Sequence, residues 1–155
     1  MRIPELDGRD RAILAALQDN GRLSNAELAE KVNLSPSACL RRTKLLEESG
    51  LVAGYTMLLD QRACGKPGNA FVFVSLDQQG RQTLNAFEEA VADIAEIMEC
   101  YLLAGQADYL VRVIYADAED FERIHTEILT QLPGVVRVQT TLTLRTVKKS
   151  TKIEI

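Results

Sequence analysis

The sequence predicts an α+β chain in two parts: an amino-terminal winged helix-turn-helix followed by a ferredoxin-like βαββαβ domain. Three observations carry that expectation. Before residue 50, two capped helical segments are separated only by Asn33-Leu34-Ser35. The stretch QRACGKPGN at 61–69 then breaks the apolar pattern with two glycines and a proline. Beyond it, alternating and helical periodicities follow one another as strand, helix, strand, strand, helix, strand.

Each element has a local cause. Asp7 is a good helix N-cap; Ile13, Leu14 and Leu17 then share one face, and Asn20-Gly21 ends the segment. Ser24 and Glu27 form an S-x-x-E capping box ahead of Leu28, Ala29 and Val32. Ser35 caps a third helix, Pro36 occupies its first turn where a missing N–H costs nothing, and Gly50 stops it. Leu34, in the turn, is expected to pack inward and set the angle between the second and third helices. Residues 51–60 (LVAGYTMLLD) are rich in β-formers and are expected to form a wing and an exit strand.

In the second part, strands are expected at 70–76, 97–104, 108–115 and 135–147. Helices are expected at 81–95, marked by Leu84, Phe87, Val91 and Ile94, and from Asp117, marked by Phe121, Ile124, Ile128 and Leu132. The partition is therefore 1–60, 61–69 as a linker, 70–147, and a basic tail at 148–155 whose Lys148, Lys149 and Lys152 are expected in solvent. A four-stranded sheet with both helices on one side leaves its other face uncovered. A second copy of the same sheet would bury it, so a two-fold homodimer is expected.

Composition narrows the function. Of 155 residues, 46% are apolar and 26% charged, the balance of a globular protein with a real core. Apolar runs such as 70–74 are far shorter than the roughly 20 residues a membrane helix needs. The start MRIPELDGRD has no signal-peptide core, and a cytoplasmic location is expected. Three cysteines far apart and a single histidine, His125, offer no metal-ligand spacing and little for His-dependent catalysis, so neither a metal, a cofactor nor an enzyme activity is expected.

Net charge is −4, but it is unevenly distributed. Residues 31–46 hold Lys31, Arg41, Arg42 and Lys44 and no acid, whereas 77–127 hold twelve acids against three arginines. A local basic stretch on an acidic chain still binds a polyanion, because screening limits repulsion beyond about 10 Å. On the third helix, Cys39, Thr43 and Leu46 recur at helical spacing and point to the core. Ser35, Ser37, Ala38, Leu40, Arg41 and Lys44 then face outward, with Arg42 nearer the edge. Small and hydroxyl residues in a first turn suit base edges in a major groove, and the later cations suit phosphates. The plainer reading is an amphipathic helix with a solvated basic face.

The turn at 105–109 (Gly105-Gln106-Ala107-Asp108-Tyr109) also has two readings. Its amides and the Asp108 carboxylate suit the two charged ends of an amino acid. Equally, it is a hairpin turn whose Asp108 satisfies local backbone. Thr140, Thr141, Thr143 and Thr146 are strand formers first and hydrogen-bond donors second.

These residues resemble the Lrp/AsnC, or feast/famine, regulators. The resemblance runs through Leu6-Asp7-x-x-Asp10-Arg11-x-Ile13-Leu14, Leu17-Gln18-x-Asn20-Gly21-Arg22, Glu27-Leu28-Ala29 and Val32-x-Leu34-Ser35-x-x-x-Cys39-x-Arg41-Arg42. It continues at Leu46-Glu47-x-x-Gly50, Gly54-Tyr55, Leu59-Asp60, Ala70-Phe71-Val72, Cys100-Tyr101-x-Leu103-x-Gly105-x-x-Asp108-Tyr109-Leu110 and Leu132-Pro133-Gly134-Val135. It implies a prokaryotic transcription regulator that binds double-stranded DNA, dimerises through its second domain and often forms octamers. It further implies a small-molecule effector, usually an amino acid, in clefts where dimers meet. On this sequence such a cleft is carried by Leu103, Ala104, Gly105, Asp108, Tyr109, Thr140 and Thr141. Two positions depart from the pattern: Thr43 stands where valine is usual, and Leu45 where many members have arginine.

Other classes remain. An effector-free architectural DNA-binding protein would share the first domain and ignore small molecules. A ferredoxin-like enzyme lacks any nucleophile–base spacing here, and an RNA-binding sheet lacks the run of exposed aromatics that stacks bases.

Overall fold

The computed structural model describes residues 5–155. The chain divides into two compact units. One takes in the chain up to Met57 and returns for Lys148–Ile155; the other is Leu58–Val147.

The first unit holds α1 (Gly8–Asp19), α2 (Asn25–Lys31) and α3 (Pro36–Glu48). Local chemistry starts each helix. Asp7 accepts from the amides of Arg9 and Asp10, while Asp10 accepts from the amide of Asp7, a reciprocal capping box. Ser24 and Glu27 form the second box, and Ser35 caps α3 through the Ala38 amide. In the turn between α2 and α3, Asn33 takes a left-handed backbone (φ 53°), which asparagine tolerates better than most residues. The core joins Ile13, Leu14 and Ala16 to Leu28, Ala29, Val32, Cys39 and Leu46, and Leu34 packs against it as expected.

Residues 51–60 form no strand, against expectation. β-forming side chains need a neighbouring strand, and among the described residues none pairs with this segment, although Leu51 and Val52 pack against the first core. Met57, Leu58 and Leu59 are exposed. Tyr55 is held at its hydroxyl, which donates to Glu47 of α3 at 2.8 Å. Burial, followed by that carboxylate, pushes the phenol up to about 12.

The basic tail is exposed but not loose. Ile153 exchanges both backbone hydrogen bonds with the Gln18 side-chain amide, at 2.7 and 2.9 Å. Lys152 pairs with Asp19 at 2.5 Å. Both partners lie in the last turn of α1.

The second unit holds β1 (Gly68–Leu76), α4 (Arg81–Ala92), β2 (Ile97–Leu102), β3 (Tyr109–Tyr115), α5 (Ala118–Arg123) and β4 (Val135–Leu142). The sheet order is β2-β3-β1-β4, antiparallel throughout, which is the ferredoxin-like arrangement expected. Ala70, Val72 and Val74 of β1 and Tyr109, Val111 and Val113 of β3 alternate onto one face, where Phe87 and Val91 of α4 and Ile124 and Leu129 cover them. The opposite face carries Phe71 and Phe73, more than a third exposed, with Leu110 and Ile114 half-buried beside them.

Several expected boundaries shift: β2 ends at Leu102 rather than 104, and α4 at Ala92 rather than 95. β4 ends at Leu142 rather than 147, because its partner β1 starts at Gly68 and the last cross-strand bond is Thr143 N–H to Asn69 O. β1 starts two residues early on Gly68, where the Tyr115 ring crosses so closely that a Cβ would lie 2.2 Å from it. The helix after Asp117 is α-helical only to Arg123, then π-helical over Ile124–Ile128 and 3-10 over Leu129–Gln131. Ile124 and Leu129, both fully buried, are five residues apart; the wider π turn lets both face the sheet.

The 61–69 stretch is folded. The Gln61 side-chain amide donates to the carbonyls of Lys66 and Gly68, and Lys66 pairs with Asp120 at 2.9 Å. The Ala116 amide, then Lys66 and Arg123, hold the Asp120 carboxyl well below the usual range. Among the described residues no helix is long and apolar enough to cross a membrane.

Candidate functional site

The first candidate surface is the outward face of α3. Ser37, Leu40, Arg41 and Lys44 follow helical spacing on it and are exposed; Ser35 is exposed at the cap and Ala38 half-buried. Ser35 Oγ accepts from the Ala38 amide and lies 3.3 Å from Ser37 Oγ, so the two hydroxyls form one polar cluster at the helix start. No acid sits in that first turn, which leaves the positive end of the helix dipole uncompensated. The Asn25 side chain donates to the Pro36 carbonyl at 2.9 Å and fixes this end of α3 against α2. Arg41 and Lys44 pair with no acid among the described residues.

Arg42 does not share their freedom. Its guanidinium donates to Asp7 at 2.8 Å and Asp10 at 2.7 Å, and its side chain is only 26% exposed. Arg42 thus stands at the edge of the outward face with its guanidinium turned toward α1. The spacing held the signal: 39, 42 and 46 lie on one stripe of a helix, and Cys39 and Leu46 are core residues. Thr43, in the place of the usual valine, loops its hydroxyl to the Cys39 carbonyl at 3.0 Å, so the extra oxygen is satisfied within the helix. Leu45 is half exposed and leaves an apolar spot on the surface.

The second candidate is the loop between β2 and β3. Leu103 is half-buried, while Ala104, Gly105 and Gln106 are exposed. Gly105 has no left-handed backbone, and a side chain there would meet nothing within 4 Å. Its role is openness rather than a special turn. The backbone amides of residues 104–107 find no acceptor among the described residues.

Asp108 lies beneath this loop and is 8% exposed, the one charged side chain buried among the described residues. Its carboxylate accepts from the Leu76 amide and from the Gln79 side chain, each at 2.7 Å. Its own amide donates to Val74 O at 2.9 Å, and its carbonyl takes the Leu103 amide at 2.7 Å. Asp108 therefore ties the end of β1, the following loop and the β2–β3 loop together. Each carboxylate oxygen already accepts one hydrogen bond from within the chain, the anchoring role of the plainer reading. Gln79, which no pattern singled out, supplies half of that anchoring.

Tyr109 points into the core, 1% exposed, with its ring 4.4 Å from Phe87 and its hydroxyl donating to Glu88 at 2.7 Å. Burial and that carboxylate raise its pKa far above the ordinary tyrosine value. Thr140 and Thr141 lie on β4, separated from β3 by β1, and point to opposite faces. Thr140 sits opposite Val72 on the helix side, its buried hydroxyl without a partner among the described residues; Thr141 is exposed opposite Phe71. Within one chain they do not meet the loop. His125 lies half-buried with its ring 6.2 Å from Phe121. Among the described residues no group of acids, histidines and cysteines is arranged to hold a metal.

Comparison with known proteins matches both units of the chain to described families. Residues 6–53 match the family described as winged helix-turn-helix DNA-binding, and residues 69–153 match the Lrp/AsnC ligand binding domain. The leucine-responsive regulatory protein of Rhizobium meliloti is 39% identical over 151 residues, 97% of each chain. The transcriptional regulator AzlB of Bacillus subtilis is 34% identical over 150 residues, covering 97% of this chain and 96% of its own. A transcriptional regulator of Neisseria meningitidis, solved as its complex with L-Met, superposes with a TM-score of 0.91 at 36% identity, covering 96% of each chain. With a cap-and-clamp helix-turn-helix, a ferredoxin-like second unit and these relatives along nearly its full length, the chain belongs to the Lrp/AsnC family of DNA-binding transcriptional regulators with a ligand-binding domain.

Proposed function

We propose that α3 reads duplex DNA through Ser35, Ser37, Ala38 and Leu40, with Arg41 and Lys44 on phosphates, and that an amino acid bound at the β2–β3 loop alters this binding. The observation that carries the DNA reading is the pair of exposed cations, Arg41 and Lys44, with no acid partner among the described residues, on the outward face of α3. Each phosphate contact releases condensed counterions and steepens the salt dependence by about 0.9. Replacing Arg41 and Lys44 together by alanine is expected to weaken binding to every duplex tested and to reduce the slope of log K against log salt by about 1.8. Fluorescence anisotropy across a salt series measures it. An unchanged slope removes α3 from the interface.

The amino-acid reading rests on the unengaged amides of 104–107, which suit a carboxylate, and on the L-Met complex of the Neisseria relative. The effector acts by preferring one assembly of the protein over another. Self-association is proposed across the sheet face of Phe71, Phe73, Leu110 and Ile114, as a homodimer that builds toward an octamer. A thermal-shift screen against the twenty amino acids checks the effector. A ligand at a hundred times its dissociation constant stabilises by about 2.7 kcal/mol, several degrees of melting temperature for a protein of this size. Twenty blanks would favour an effector-independent architectural role and leave the DNA reading untouched.

A further inference from the structure

Arg42 lies one residue from a proposed phosphate contact, yet its guanidinium is engaged elsewhere. It donates to Asp7 Oδ2 and to Asp10 Oδ1. The other oxygens of these acids serve the helix cap: Asp7 Oδ1 accepts the amides of Arg9 and Asp10, and Asp10 Oδ2 accepts the amide of Asp7. Cap and clamp thus form one network in which each carboxylate divides its oxygens between the start of α1 and the middle of α3. The cap's backbone amides first, and then Arg42, hold the Asp7 carboxyl below its ordinary value; the two acids in turn raise Arg42. The same turn of α1 reaches α2, because Arg9 donates to the Val32 carbonyl at the α2 C-cap.

We infer that Arg42 is a positioning residue for DNA recognition and not a phosphate contact: it fixes α3 on the α1 cap, so that Ser37, Arg41 and Lys44 are presented at one set angle. Helical direction supports this. Arg42 lies about 100° around the helix from Arg41 and shares its stripe with the buried Cys39 and Leu46. The single guanidinium also offsets part of the negative charge of two carboxylates in the DNA-binding unit. The inference rests on the DNA reading above and sharpens it, since one of two adjacent arginines is assigned to phosphate and the other to geometry.

The two roles predict opposite signs for a change at Asp10. Removing a negative charge from a protein that binds a polyanion should by charge alone tighten binding. If Asp10 instead anchors the recognition helix through Arg42, Asp10→Asn should weaken it. The full-length protein would be titrated by fluorescence anisotropy onto a duplex, over a salt series, as wild type, Arg41→Ala, Arg42→Gln, Asp10→Asn and the Arg42→Gln/Asp10→Asn double variant. Circular dichroism checks that each is folded. The expected result is a loss on the order of tenfold for Arg42→Gln and for Asp10→Asn, with wild-type salt slopes, and a double variant no worse than either single, because one network is removed only once. Arg41→Ala alone flattens the slope, by about 0.9.

A slope reduced by about 0.9 in Arg42→Gln, or tighter binding in Asp10→Asn, would overturn the inference and return Arg42 to the phosphates. If Arg42→Gln fails to fold, Asp10→Asn still decides by its sign, because it leaves every α3 side chain in place. Absence of salt-dependent binding in the wild type would instead sink the DNA reading itself, an outcome separate from either.

Discussion

Replacing Asp108 with alanine is expected to destabilise the protein by about 2–3 kcal/mol, the cost of removing two hydrogen bonds to a charged acceptor and leaving a buried amide unsatisfied. The amide is that of Leu76, at the end of β1, and burial denies it water as a substitute. Gln79 can turn to solvent, so its share is smaller. Asp108→Asn should recover part of the loss, since its amide oxygen can still accept from Leu76. Urea denaturation gives the free energies, and peptide-resolved hydrogen exchange should show faster exchange at 74–79 and in the 103–108 loop in the alanine variant. A loss below about 0.5 kcal/mol would place Asp108 among ordinary surface positions and free its carboxylate for a ligand. This matters for interpreting effector experiments. A response that disappears in Asp108→Ala reports a collapsed loop as readily as a lost contact, so the backbone amides of 104–107 need their own probe.

Phe87→Ala should cost more, about 3–5 kcal/mol, the range for truncating a large aromatic in a packed core. Phe87 is fully buried and, with Val91, supplies the buried face of α4. Its ring lies 4.4 Å from that of Tyr109 at a tilt of 32°, a pairing that adds roughly 0.5–1.5 kcal/mol beyond the area it buries. Losing it also loosens the wall that holds the Tyr109–Glu88 bond. Phe87→Leu, which keeps most of the volume, should lose less than half as much. The urea midpoint measures both. A loss under 1.5 kcal/mol, below the aromatic-to-alanine range, would mean that α4 repacks over the sheet and that the ring is not its anchor.

What could be read in the sequence was what depends on near neighbours. The cap at Asp7, the capping box at Ser24/Glu27 and the cap at Ser35 are three-residue events, and all three formed. The apolar run 70–76 located β1, though not that its Phe71 and Phe73 would lie on an exposed face. What escaped was decided by the other end of a contact. Arg42 meets acids 32 and 35 residues away, and Asp108 meets a glutamine 29 residues away. Periodicity says which way a side chain points, not what waits there. Residues 51–60 failed for a related reason: β-propensity describes fit to a neighbouring strand, and among the described residues none pairs with this stretch. The π turn at 124–128 is a response to packing Ile124 and Leu129 together, which a 3.6-residue template cannot contain.

The attachment of the tail changes what kind of molecule this is in terms of chain topology. Because Ile153 and Lys152 fasten onto Gln18 and Asp19, the DNA-binding unit is a host whose polypeptide departs after Met57 and comes back at Lys148. The regulatory unit is therefore an insert with two leashes, not a pendant on one. The return leash, residues 143–151, runs from the end of β4 to the anchor at Lys152 and spans at most about 35 Å when fully drawn out. Any displacement of the β4 terminus beyond that reach must either strip the tail from α1 or drag α1 along.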